Sequence, residues 1–134
     1  MAGYSGTPLP SKLGLKEGFA VALLGAPAGF RRGLAPLPSR ISGHGELRPG
    51  LDCVILFASD LATLQAGFAP AAASLTAAGM LWVAWPKKAS KVPTDLTEDR
   101  VRAHGLAAGL VDVKVCAVDA VWSGLKFVRR IGDR

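Results

Sequence analysis

Residues 61–86 carry no charged side chain, and within this stretch the hydrophobic period changes from helical to extended. Leu61, Leu64, Phe68, Ala71, Ala72 and Leu75 recur at the spacing of one helix face. Six apolar residues, Met80–Trp85, then run without interruption to Pro86. Such a run predicts a strand buried on both faces, with Leu81, Val83 and Trp85 opposite Met80, Trp82 and Ala84. Pro86 ends the pairing because it has no N–H to donate. Asp60 or Ser59 is the expected helix N-cap, Gly79 the expected C′ residue, and Pro70 a break or kink within the helix. A helix delivered into a buried strand is half of a βαβ unit. The length alone would suit a membrane span, but alanine dominates the stretch and Gly67, Pro70 and Gly79 interrupt it. We therefore expect no membrane segment.

The rest of the chain repeats the pattern. Phe19–Leu24 and Leu51–Ala58 read as further buried strands, separated by the loop Gly25-Ala26-Pro27-Ala28-Gly29, a short helix to about Leu34, and the Pro- and Gly-rich segment Pro36–Gly50. A short edge strand is expected near Arg40–Ser42. Thr97, followed by Glu98 and Asp99, predicts a helix start, with Leu96 stapled onto Val101 and the helix ending at Gly105. Val111, Val113, Val115 and Ala117 alternate as one strand face, and Gly124–Arg130 follows so closely that the pair must be antiparallel. The expected fold is α/β: a small, mostly parallel Rossmann-like sheet with helices on both faces and a C-terminal antiparallel strand pair. At 134 residues we expect a single domain over 1–134, in which residues 1–17 form an N-terminal arm with Tyr4 and Leu9 as its apolar contacts. One helical turn is expected near Ser11–Gly14. The arm would cover a sheet edge or meet a protein partner, including a second copy of the chain.

Several function classes lose support at this level. The formal charge of +6 permits nucleic acid, and Arg31, Arg32, Lys87, Lys88, Arg129 and Arg130 would be its contacts, but charge alone argues for it weakly. Cys53 and Cys116 lie inside apolar strand patterns and form no metal motif, so packed thiols are expected and no metal site. His44 sits between glycines with nothing to orient it, and His104 suits a helix C-terminus. Gly-x-Ser-x-Gly, P-loop and Gly-x-Gly-x-x-Gly patterns are absent, and no nucleophile–base pair stands out, so no catalytic residue is assigned. Trp82 and Trp85 are expected in the core, and Trp122 at the surface. The N-terminus lacks a basic-then-apolar leader, which leads us to expect a cytoplasmic protein.

A parallel α/β chain ending in an antiparallel pair resembles the class I methyltransferases that use S-adenosylmethionine. Residues 51–57 and 78–83 are similar to that family's fourth and fifth strands, and Val21–Gly29 falls at its first strand and glycine loop. The chain departs from the family pattern acid-x-Gly-x-Gly-x-Gly: Leu23 stands at the acid and Pro27 at the middle glycine. Only Pro36–Gly50 is available for the second and third strands and their helices, with Glu46 its sole carboxylate. The segments Gly3-Tyr4-Ser5-Gly6-Thr7-Pro8-Leu9, Trp85-Pro86-Lys87-Lys88-Ala89-Ser90 and Asp95-Leu96-Thr97 resemble a small bacterial family to which no activity attaches. So do residues 113–119 and 122–127.

Ligands of open α/β sheets bind beyond the carboxyl ends of the strands. Gly25, Ala28, Gly29, Asp60, Lys87 and Lys88 fall there, with Asp119 at a further strand end; free N–H groups near Ala28 and Gly29 would orient an anion and the lysines supply charge. The expected function is a non-catalytic Rossmann-like module for a small anionic ligand or a protein partner, without a cofactor. The resemblance supplies the alternative, a minimal S-adenosylmethionine-dependent methyltransferase, against which the departures at Leu23 and Pro27 argue.

Overall fold

The computed structural model describes residues 8–134; Tyr4 and the rest of the first seven residues lie outside them. The strands are β1 (Ala20–Leu24), β2 (Ser42–His44), β3 (Leu51–Phe57), β4 (Leu75–Pro86), β5 (Leu110–Ala117) and β6 (Trp122–Arg129). The helices are α1 (Leu9–Leu13), α2 (Phe30–Gly33), α3 (Leu61–Ala73) and α4 (Glu98–Ala107). The sheet runs β2-β1-β3-β4-β6-β5, parallel from β2 to β4, with β6 antiparallel to both β4 and β5. This is the mostly parallel α/β sheet with an antiparallel C-terminal pair that the hydrophobic pattern implies.

Both faces are covered. Leu81, Val83 and Trp85 of β4 pack under α3 and α4 with Leu64, Phe68, Val101 and Phe127. Met80, Trp82 and Ala84 pack on the other face with Leu13, Phe30 and Leu34. The two alternating sets thus separate as their parity requires. Burial of Trp82 is completed by its indole N–H, which donates to the carbonyl of Leu13 at 2.9 Å. That bond fastens α1 to the sheet, and Gly14 ends α1 in a left-handed conformation (φ 79°). Pro10, placed in the arm on sequence grounds, is buried as part of α1.

Four features differ from expectation, the first being the edge strand expected near Arg40–Ser42, which lies at Ser42–His44. α3 stops at Ala73, not before Gly79, and Pro70 is accommodated inside it. Leu75 already pairs with Leu51, and after an irregularity the unbroken ladder to β3 resumes at Met80. Gly79 lies within that irregularity, where an added Cβ would stand 3.0 Å from the carbonyl oxygen of Leu51. The glycine is therefore required by close backbone approach and not by a helix end. α4 starts at the Thr97 cap as expected but continues through Gly105 to Ala107. β5 contains a bulge between Asp112 and Lys114, so Val111 pairs with Val128 and Val115 with Leu125, on opposite faces. One extra residue has reversed the alternation read from the valines, and Val113 and Val115 are exposed.

The segment before β3 is short of structure. β2 is a three-residue edge strand, and residues 45–50 connect it to β3 without a helix. His44 lies in β2, its ring 3.2 Å from the Ser42 hydroxyl and 3.5 Å from the Arg48 guanidinium. Among the described residues no helix is long and apolar enough to cross a membrane.

Candidate functional site

The parallel strands end together, so Leu24, Phe57 and Pro86 bring their following loops to one edge, where β6 begins at Trp122 opposite Pro86. The β1–α2 loop turns sharply at Gly25 (φ 69°), where an added Cβ would lie 3.1 Å from the Phe57 carbonyl oxygen. Gly29 (φ 82°) precedes α2, and no side chain caps that helix. α2 is a single turn, so a helix dipole adds little to the free N–H groups at its start.

A cavity of about 510 Å³ opens beside this loop. Ala28, Gly29 and Gly33 line one side, Asp119 and Trp122 of the β5–β6 turn the other, and Leu9 of α1 contributes as well. Trp122 is half-buried here, not a surface residue: its ring meets Phe57 edge to face at 5.1 Å, and Phe57 meets Phe30 in the same way at 4.7 Å. Asp119 accepts the backbone N–H groups of Val121 and Trp122 through one carboxylate oxygen, at 2.8 and 2.9 Å. This Asx turn reverses the chain between β5 and β6 and fixes the carboxylate at the cavity.

The other expected ligand residues lie elsewhere on the edge. Asp60 caps α3, accepting Thr63 N–H at 2.7 Å, while the Asp95 carboxylate accepts Leu61 N–H at 2.8 Å. The hydrogen bond from the Thr63 backbone, then that from its hydroxyl, holds the Asp60 carboxyl below its ordinary pKa. Two carboxylates thus occupy the start of α3. Lys88 lines a second cavity of about 540 Å³ with Lys91, Thr97 and Glu98. Lys87 donates its backbone N–H to Val121 at 2.7 Å and lines neither cavity. The structure therefore brings Ala28 and Gly29 together with Asp119 and Trp122, and separates them from Lys88. Sequence reasoning placed Asp119 at a strand end of this edge but gave it no role toward a ligand, and it read Trp122 as a surface residue. The signal for a shared site is an aspartate three residues before a tryptophan in a short antiparallel connection.

The two cysteines are packed. Cys53 is fully buried, and burial pushes its thiol up to about 12. Burial likewise raises Cys116, against the opposing pull of Lys12 and Lys114. Among the described residues no cluster of His, Cys, Asp and Glu is arranged to hold a metal.

The sequence matches no protein-family model and no curated protein. Its fold does match solved structures. The chain is similar to a precorrin-6y C5,15-methyltransferase from Geobacter metallireducens, with a TM-score of 0.60, 11% identity, and 91% and 86% of the two chains covered. It is similar to Aeropyrum pernix fibrillarin, solved with natively bound S-adenosylmethionine, with a TM-score of 0.59, 16% identity, and 94% and 70% coverage. A methyltransferase from Thiobacillus denitrificans in complex with S-adenosylhomocysteine gives 0.57, 14%, and 91% and 89%. The fold is the Rossmann-like one of these methyltransferases. Identities this low carry the architecture and no activity.

Proposed function

We propose that the chain is a minimal S-adenosylmethionine-dependent methyltransferase whose ligand occupies the cavity between the β1–α2 loop and the β5–β6 turn. The observation that carries this reading is the cavity itself, which lies at the glycine loop of a methyltransferase fold. Its volume of about 510 Å³ falls in the range of small-molecule sites. Its lining suits the group. Phe30 and Trp122 offer aromatic surface for a base, backbone at Ala28 and Gly29 can approach closely, and Asp119 provides a carboxylate. Leu23, at the position of the family's acid, is buried in the core and holds nothing. When bound, S-adenosylmethionine would supply an electrophilic methyl group on a positively charged sulfur, set against largely apolar walls. The described residues offer no second carboxylate or histidine in this cavity, so we assign no general base.

Gly33 provides the test. It lines the cavity, and a Cβ built on it meets no atom within 4 Å. Gly33→Phe should therefore obstruct the site without straining the fold. Calorimetry should show S-adenosylmethionine binding to the wild type and loss of about tenfold or more in affinity in Gly33→Phe. A wild type that fails to bind at about 1 mM ligand would end the proposal. A second reading, an anion-binding module, draws on the cavity lined by Lys88 and Lys91. Phosphate binding that survives Gly33→Phe but not Lys88→Ala would favour it.

A further inference from the structure

The charge of the first cavity has a definite sign. Among the described residues no lysine, arginine or histidine lines it, and Asp119 is its one charged group. Lys12, which approaches from α1, directs its ammonium to the carbonyl of Ala117 at 3.1 Å and is not a lining residue. One Asp119 oxygen accepts two N–H groups; the carboxylate has no ion-pair partner among the described residues. In a mostly apolar cavity such a charge interacts more strongly with a cation than it would in open water. Phe30 and Trp122, each locked edge to face on Phe57, add aromatic surface, which also favours positive charge.

We infer that the cavity between the β1–α2 loop and the β5–β6 turn is a site for a cationic ligand, with Asp119 as its charge-selecting residue. The ligand class is an aromatic or nucleoside-bearing cation. Applied to the natural ligand this rests on the reading above: the charged sulfonium of S-adenosylmethionine is preferred over the neutral thioether of S-adenosylhomocysteine. The carboxylate comes from the turn after β5, on the opposite wall from the glycine loop.

The test uses the whole chain and four probes in calorimetry: S-adenosylmethionine, S-adenosylhomocysteine, tryptamine and indole-3-acetate. Asp119→Asn keeps an oxygen to accept the turn's N–H groups while removing the charge; Asp119→Ser, also able to accept, is the second variant should the first fail to fold. The wild type should bind S-adenosylmethionine about tenfold or more tighter than S-adenosylhomocysteine, and tryptamine in preference to indole-3-acetate. Both preferences should vanish in the variant. Preferences that persist in the variant, or a wild type favouring indole-3-acetate, overturn the inference while leaving the proposed activity standing. Asp119-dependent tryptamine binding without either adenosyl ligand supports the inference and removes the activity. Binding of none of the four removes both.

Discussion

Gly105 lies inside α4 with its backbone against the ring of Phe127, and replacing it with alanine gives a sharp test of the packing. A Cβ there would stand 2.0 Å from Cε1 of Phe127 and 2.5 Å from Cζ. Ordinary carbon contacts are about 3.5–4 Å, so the ring must retreat by roughly 1.5 Å. It has little room, since Phe127 is fully buried and meets Phe68 edge to face at 5.3 Å. Overpacking of this kind costs about 1–3 kcal/mol, with the upper end expected here because the contact is with a fixed ring. Better helix propensity returns about 1 kcal/mol, leaving a net loss of roughly 2 kcal/mol. For 134 residues the unfolding entropy near the midpoint is about 0.28 kcal/mol/K, so Gly105→Ala should lower Tm by about 7 °C. Thermal melts followed by circular dichroism measure this directly. Gly33→Ala is the control, with open space at the site and an expected gain of up to about 1 kcal/mol. Phe127→Leu should partly rescue Gly105→Ala, so that the double variant is less destabilised than the sum. A Gly105→Ala melt at or above the wild-type Tm would refute the packing of α4 on β6.

Trp82→Phe strands the buried Leu13 carbonyl and should cost about 2 kcal/mol or more in urea unfolding, with faster proteolysis around α1. Thr97→Ala removes the hydroxyl that accepts Arg100 N–H and should cost about 1 kcal/mol in the same assay. Asp112 is held below its ordinary pKa chiefly by the hydrogen bond from Arg102, at 2.8 Å. A depressed folded-state pKa contributes stability that is fully present above the unfolded value of about 4 and is lost as pH falls through the lower folded value. Asp112→Asn should therefore be less stable than the wild type at neutral pH and show a shallower loss in melts taken down toward about pH 2. A thiol reagent should label Cys53 and Cys116 slowly in the folded protein and rapidly in denaturant, because both are buried and their thiolates disfavoured.

Most of the sheet was legible because buried parallel strands write continuous apolar runs, and because two strands joined by a few residues must be antiparallel. The alternation of Met80–Trp85 sorted its side chains onto the correct faces, and the Thr97 cap placed the start of α4. The errors have local physical causes. Between Ala71 and Gly79 alanine and threonine satisfy helix and strand alike, so only the pairing of Leu75 with Leu51 shows where α3 ends. In β5 a single extra residue moved Val115 to the opposite face from Val111, and no side-chain pattern marks a bulge. Gly105 reads as a helix end, yet it is there to admit the Phe127 ring.

The site was harder to read than the fold, and the reason is the face of the sheet and not its edge. Parallel topology alone places Gly29 and Lys88 at one edge, since β1 and β4 both end there. Pro86 and Trp122 form the last rung at that edge. The glycine-loop cavity lies with Phe30 and Val118 on the α1–α2 face, and the lysine cavity with Trp85 and Leu96 on the α3–α4 face. Topology thus brings the two sets of residues within one rung of each other, yet they line separate cavities on opposite faces. The group that does share the glycine-loop cavity, Asp119, belongs to a turn whose evident task is to reverse the chain. Its two accepted N–H groups explain an aspartate there as fully as a ligand would. Only the cavity it borders, lined by aromatic rings and lacking any cation among the described residues, distinguishes the two roles. If Asp119 served the turn alone, Asp119→Asn would leave every ligand preference intact, since asparagine makes the same turn.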